Sequence, residues 1–250
     1  MIKKCFFLLI SFYVLQMILS PVPPRKNFDN RPTKVYRVDL SLSIKDRYEQ
    51  ILLDHKIAIR SLIVNIYKLK PAMKYFSYIF NIFKHNQDPD FLAHTEVFAE
   101  ILEVSSLDIA IMQFIDQFTC TSIIVQNSEN EVFFSRNFDY PLYSTLYDLG
   151  IQVDYYQGDT FLFKANTIAG LIGLLNSMKP GKFAASINSR KNNLYLNSLR
   201  ILAGYYPPEY FILKSTIQAN SFKEMYGLLT ETKFNMNVYF ILCGLRKTKG

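Results

Sequence analysis

The sequence predicts an α+β protein whose N-terminal part is mainly helical and whose C-terminal part is rich in strands. Apolar residues recur every three or four positions before residue 119, whereas short β-branched and alternating runs follow from Cys120 onward. Half of the 250 residues are hydrophobic, which is typical of a folded chain with a sizeable core. The change of pattern places a natural boundary between Thr119 and Cys120.

The N-terminus has the pattern of a secretory signal. Lys3 and Lys4 precede an apolar run from Cys5 to Leu19, which is shorter than the roughly 20 apolar residues that span a bilayer. We therefore expect residues 1–20 to be a cleaved signal peptide. An uncleaved membrane anchor is the alternative.

The helical part divides into one short strand and several helices. The strand is expected at Lys34 to Leu42, and helical spacing then extends from Tyr48 to Ile66. Pro71 separates this run from a second one, which ends at the polar segment from Asn86 to Asp90. A third helix is expected at Glu96 to Leu102, and a fourth begins at an N-cap on Ser105 or Ser106.

From Cys120 onward, strands dominate. The runs TSIIVQ and EVFFSRN flank the polar NSEN, which predicts a β-hairpin. The further elements are expected strands at Ile151 to Tyr156, Thr160 to Lys164 and Phe183 to Ile187, and helices at Tyr195 to Leu202 and Phe222 to Thr230.

The net charge of +7 does not indicate a nucleic-acid partner. Much of the positive charge lies near the two ends of the chain, at Lys3, Lys4, Arg25 and Lys26 and at Arg246, Lys247 and Lys249. No cluster of lysines and arginines is interleaved with aromatic residues on one element. We therefore exclude nucleic acid as a partner.

Cys120 has no histidine after it in the sequence, because His55, His85 and His94 all precede it. A thiol becomes a good nucleophile when a base takes its proton or when a nearby cation favours the thiolate. Cleavage of the preceding peptide bond would supply such a base, since a free α-amine has a pKa of about 7.7–8.0. The alternative interpretation is a buried strand cysteine without chemistry.

The hairpin restricts which residues lie beside Cys120. Side chains alternate between the faces of a strand, so Cys120 and Arg136 share a face only if the loop has an odd number of residues, such as Ser128 to Asn130. Asp139 has the opposite parity. It reaches the same site only if the strand ends or bulges before it.

The run CTSIIVQNSENEVFFSRNFDYP resembles the start of the catalytic subunit of the acid ceramidase and N-acylethanolamine-hydrolysing acid amidase family. The likeness continues through FKANTIAGLIGLLNSMKPGKFAASIN and ETKFNMNVYFILCG. It implies an αββα sandwich of the N-terminal-nucleophile hydrolase type, here incomplete. A helical segment at 21–119 would precede a catalytic segment at 120–250.

The resemblance also implies site residues and an activity. Cys120 corresponds to the nucleophile, which is exposed by self-cleavage between Thr119 and Cys120. Arg136 and Asp139 match the R-N-x-D motif, in which the arginine orients the site and favours the thiolate and the aspartate holds the α-ammonium. The expected reaction is hydrolysis of fatty-acid amides, either ceramides or N-acylethanolamines, without a metal or other cofactor.

Several cellular properties follow from the same resemblance. We expect a self-processed α/β heterodimer that reaches the lysosome by the secretory route, or is secreted, and acts on a lipid amide at a membrane surface. The segment YFSYIFNIF with Lys70, Lys74 and Lys84 is a candidate for that surface, or else a core helix. The alternatives are an inactive homologue that binds lipid or a partner subunit, and a thiol protein that uses Cys243 as a resolving cysteine.

The sequence departs from the family in two places. Ser189 stands where the family has a glutamate, within INSRK. The family's later T-N-Y-D asparagine, an oxyanion donor, has no counterpart before Gly250. We therefore expect the C-terminal part of the catalytic segment to be missing.

Overall fold

The computed structural model describes residues 32–69, 80–113, 119–129, 131–139, 146–190 and 194–244. The described residues from Thr33 to Gly244 belong to one compact unit. The predicted signal peptide at 1–20 and most of YFSYIFNIF lie outside the described residues. Within the described ranges, every helix is too short or too polar to cross a membrane.

Within the described residues, the predicted first strand and helices are confirmed, with different boundaries. The elements are β1 (Val35–Asp39), α1 (Ile44–Asp54), α2 (Lys56–Leu69), α3 (Phe80–Asn86), α4 (Pro89–Leu102) and α5 (Ser106–Met112). Ser105 is the N-cap of α5, where its hydroxyl accepts from the Asp108 amide and the Asp108 carboxylate accepts from the Ser105 amide.

Two of the predicted helix boundaries are wrong. The run from Tyr48 to Ile66 is divided at His55, whose buried ring lies 3.1 Å from the hydroxyl of Tyr36 in β1. The helix expected at Glu96 begins earlier, because the Asp88 carboxylate accepts from the amides of the first turn and Pro89 occupies its first position. What looked like a helix break at Asp88 is therefore a helix start.

The C-terminal part supplies most of a six-stranded sheet. Its elements are β2 (Thr119–Gln126), β3 (Val132–Asp139), β4 (Gly150–Gln157), β5 (Thr160–Ile168), β6 (Asn176–Lys179), β7 (Phe183–Ser189), α6 (Leu194–Leu202), α7 (Pro208–Gln218), α8 (Phe222–Glu231) and β8 (Val238–Cys243). The strand order in the large sheet is β1-β4-β5-β6-β7-β8, with β1 parallel to β4 and the other pairs antiparallel. The predicted strands and helices of this part are confirmed, whereas β6 and α7 were not predicted.

β2 and β3 form a separate hairpin that packs on β7. The Ser122 hydroxyl lies 2.8 Å from that of Ser186 on one face of β7. On the opposite face, Ser177, the partner of Ala185, contacts Thr216 of α7 at 2.8 Å. The described elements are therefore layered as helix, sheet and hairpin, which confirms the α+β class.

Candidate active site

The register of the hairpin brings Cys120 and Arg136 to the same face. Cys120 pairs with Phe138, and Ser122 pairs with Arg136. The connecting loop, residues 127–131, has the odd number of residues that this arrangement requires. The Arg136 Nη2 atom donates to the Cys120 sulfur at 2.9 Å.

Arg136 is held in place by the large sheet as well as by the hairpin. Its Nε atom donates to the carbonyl of Ile187 in β7 at 3.0 Å. Burial lowers the pKa of the guanidinium from its usual value, and the nearby Cys120 and Glu209 side chains oppose this shift. An arginine remains protonated even so, which places a fixed positive charge beside the sulfur. Such a charge favours the thiolate, the nucleophilic form of cysteine.

The sulfur opens onto a narrow cavity at the ends of β2 and β7. Its volume is about 10 Å³, and the described lining is Cys120, Arg136, Leu175, Ile187, Ser189, Glu209, Met236 and Val238. Sites for small molecules are commonly about 300–1,000 Å³. This cavity therefore has room for about one water molecule and is too small for a substrate.

For the other predicted site residues, Thr119 and Asp139, the structure describes only the position of the backbone. Thr119 is the first residue of β2 and pairs with Asp139, the last residue of β3. The register runs without a shift between Arg136 and Asp139, so in this described hairpin the strand ends at Asp139 and does not bulge before it. The side chains of Thr119 and Asp139 lie outside the described part, and their roles stay predictions.

The histidines do not line the cavity of Cys120. His55 contacts Tyr36, and His94 is buried with its Nδ1 atom 2.8 Å from the carbonyl of Asp90. Burial lowers the pKa of both imidazoles. Their surroundings are those of packed structural residues.

Cys243 is separate from the candidate site. Cys120 and Cys243 are not joined by a disulfide in the described residues, and Cys243 pairs with Ala184 along β7. It lines a larger cavity, of about 420 Å³, whose described lining does not include Cys120. Burial raises the pKa of the Cys243 thiol, which disfavours its thiolate. In the described residues, no group of three or more histidine, cysteine, aspartate or glutamate side chains is arranged to hold a metal ion.

One cavity residue, Glu209, was not predicted from the sequence. It lies in the first turn of α7 and is 8% exposed. The signal available for α7 was Pro207-Pro208-Glu209, since proline in the first turn followed by an acidic residue is typical of a helix start. The sequence did not predict α7 because most of its residues are buried, so it lacks a polar face that repeats at the helical period.

Comparison with known proteins agrees with the motifs. The chain is 26% identical to acid ceramidase of Heterocephalus glaber over 264 residues, which cover 92% of this chain and 65% of that protein. It is 31% identical to acid ceramidase of Mus musculus over 156 residues, with coverage of 55% and 40%. It is 29% identical to N-acylethanolamine-hydrolyzing acid amidase of Caenorhabditis elegans over 136 residues, with coverage of 52% and 38%.

A solved structure of the Caenorhabditis elegans N-acylethanolamine-hydrolyzing acid amidase ortholog matches with a TM-score of 0.45 and 26% identity, covering 50% of this chain and 55% of that one. No protein-family model matches the chain. The chain thus spans about two thirds or less of the length of these curated relatives. The predicted resemblance to the acid ceramidase and N-acylethanolamine-hydrolysing acid amidase family is confirmed by these sequence similarities.

Proposed function

We propose that the chain is the precursor of a fatty-acid amide hydrolase whose nucleophile is Cys120. The observation that carries this proposal is the 2.9 Å contact between Arg136 Nη2 and the Cys120 sulfur. The names of the related proteins, acid ceramidase and N-acylethanolamine-hydrolyzing acid amidase, indicate the class of substrate. Both are enzymes that cleave an amide of a fatty acid.

The first step is self-cleavage between Thr119 and Cys120. The sulfur of Cys120 attacks the carbonyl carbon of Thr119, the bond to the Cys120 nitrogen breaks, and that nitrogen takes up the thiol proton. Water then hydrolyses the resulting thioester, which leaves a carboxylate on Thr119 and a free amine and thiol on Cys120. The position of Cys120 near the end of β2 supports this step, because a cut there leaves most of the paired strand intact.

In the second step, the same sulfur acts on the substrate. The thiolate attacks the acyl carbonyl, the α-ammonium of Cys120 donates a proton to the departing amine, and water releases the fatty acid from the thioester. Arg136 favours the thiolate and fixes its orientation through the bonds to Cys120 and Ile187. For Asp139 to hold the α-ammonium, as the proposal requires, the end of β3 must rearrange after the cut, because in the uncut hairpin Asp139 has the opposite parity to Cys120. No metal or other cofactor takes part.

The two cleaved segments are expected to remain together as an α/β heterodimer. β1 belongs to the segment before the cut, and it pairs with β4 from the segment after it. Helices from both segments contribute to one hydrophobic core. Separating them would expose that apolar surface to water, at a cost of about 25 cal/mol for each Å².

Mass spectrometry of the purified chain incubated at acidic pH tests the proposal. We expect fragments that end at Thr119 and begin at Cys120, and neither is expected from Cys120→Ala. Cys243→Ser is the matched cysteine control and should cleave like the unmodified protein. An uncut chain that releases no fatty acid would instead support the inactive, lipid-binding homologue.

Substrate and location are proposed from the relatives and have their own tests. Release of fatty acid from a ceramide, compared with release from an N-acylethanolamine, identifies the preferred amide. Membrane contact is tested by flotation with anionic vesicles, and lysosomal delivery by imaging of a tagged chain. The described Lys84 contacts Glu96 at 3.4 Å and lies over the ring of Phe80, so the membrane proposal depends mainly on residues outside the described part.

A further inference from the structure

The backbone of Glu209 is fixed at the end of the Cys120 cavity. Pro207 and Pro208 set the start of α7, and the Glu209 carbonyl accepts from the amide of Leu174 at 3.0 Å. Gly173 has a φ of 146°, and a Cβ atom added there would overlap the backbone of Glu209. The close approach of this glycine allows the first turn of α7 to press against the loop before β6.

The side chain of Glu209 shares its cavity with the candidate nucleophile. Among the described residues that line this cavity, the charged or titratable groups are Cys120, Arg136 and Glu209. A buried guanidinium is stable only when anions or hydrogen-bond acceptors compensate for its lost hydration. The interaction with Glu209 raises the pKa of Arg136 against the lowering effect of burial, as this compensation requires.

Ser189 lines the same cavity from the end of β7. This is the position at which the sequence lacks the glutamate of the family that it resembles. The cavity nevertheless contains a carboxylate, which comes from α7 and not from β7. The negative charge is therefore present in the cavity, but α7 supplies it in place of β7.

We propose that Glu209 is a positioning residue that balances the charge of Arg136 and thereby sets how readily the Cys120 thiol ionises. This inference rests on the proposed function of Cys120 as a nucleophile. Arg136 then shares the cavity with two anionic groups, the carboxylate of Glu209 and the thiolate of Cys120. Each of them competes for the same guanidinium.

The test is the pH midpoint of alkylation at Cys120, measured by peptide-resolved mass spectrometry with iodoacetamide. Removing the negative charge in Glu209→Gln leaves more of the Arg136 potential to stabilise the thiolate. The midpoint is therefore expected to fall by about one pH unit. Glu231→Gln, at an exposed carboxylate on α8, is the matched control and should leave the midpoint unchanged.

Cys243 is an internal reference in the same samples, because it lines a different cavity and its midpoint should not move. A purely structural role for Glu209 would change the melting temperature and not the midpoint. An unchanged midpoint at Cys120, or an equal shift at Cys243, would overturn the proposal. The measurement needs no substrate, so a protein that neither cleaves itself nor hydrolyses amides would count against the proposed function alone.

Moving the carboxylate back to β7 provides a second test. In the double variant Ser189→Glu with Glu209→Gln, the cavity regains one negative charge from the other side, and the midpoint should return to that of the unmodified protein. If Glu209→Gln alone fails to fold, the double variant is expected to fold again with that midpoint. A double variant that stays unfolded, or that keeps the lowered midpoint, would contradict the inference that a carboxylate at position 189 can replace that of Glu209.

Discussion

Replacing Arg136 with methionine removes the contact that the candidate site depends on. Its guanidinium donates to the Cys120 sulfur at 2.9 Å and to the Ile187 carbonyl at 3.0 Å, and methionine can make neither bond. A hydrogen bond from a charged donor contributes about 1.5–3 kcal/mol. Since one pH unit corresponds to about 1.4 kcal/mol, the alkylation midpoint of Cys120 should rise by about one to two pH units.

The rate of self-cleavage should fall in the same variant. If the contact stabilises the attacking thiolate to the same extent, the loss corresponds to a slowing of about 10-fold to 100-fold. Arg136→Lys keeps the positive charge but replaces the planar guanidinium by a single ammonium, which is expected to give an intermediate midpoint. The rate of appearance of the fragment that begins at Cys120, followed by mass spectrometry, measures the effect.

The Arg136 and Glu209 variants are expected to shift the alkylation midpoint of Cys120 in opposite directions. Loss of the cation should raise the midpoint, whereas loss of the carboxylate should lower it. A methionine variant with an unchanged or lowered midpoint would refute the reasoning, because the guanidinium would then have no electrostatic effect on the sulfur. Cys243 in the same samples controls for general changes in reactivity.

Three further predictions concern stability. Burial raises the pKa of the Asp88 carboxyl, but the 2.6 Å bond from Lys214 helps to lower this pKa overall. The stabilisation that Asp88 provides should therefore be present above the carboxyl pKa of the unfolded chain and be lost as the pH falls through the lower pKa of the folded chain. Asp88→Ala should flatten this dependence of the unfolding free energy on acidic pH, as measured in urea titrations. Gly173→Ala should lower the melting temperature and shift the alkylation midpoint of Cys120, since the added Cβ atom would displace Glu209. An unchanged melting temperature would refute the close approach of Gly173 to Glu209. Ser105→Ala should destabilise α5 by about 1 kcal/mol in the same titrations, whereas no change would argue against the cap.

The hairpin could be predicted because the residues that define its turn and its two strands are neighbours in the sequence. The polar NSEN between two β-branched runs indicates a turn, and the parity of the loop then determines that Cys120 and Arg136 share a face. Strands β4, β5 and β7 were predictable for a similar reason, since short β-branched and aromatic runs bounded by turns are typical of strands.

The missing parts of the prediction depend on tertiary packing. α7 is buried on most sides, so no polar face reveals its period, and β6 has four residues. At the division of the first helical run, His55 contacts Tyr36 on another element, while the apolar spacing continues across the break. Glu209 could not be assigned to the site for the same reason, because neither segment indicates that Glu209 of α7 and Cys120 of the hairpin line one cavity.

The most direct test of the proposed nucleophile is a chemical probe of the new N-terminus. A cyanobenzothiazole reagent condenses with a thiol and an amine on the same terminal cysteine, a pair that Cys120 would present only after the cut at Thr119. After incubation at acidic pH, we expect the label on the fragment that begins with Cys120, and none on the Cys120→Ala chain. A purified chain that stays uncut and unlabelled, or that is cut at another bond, would contradict the central role of Cys120.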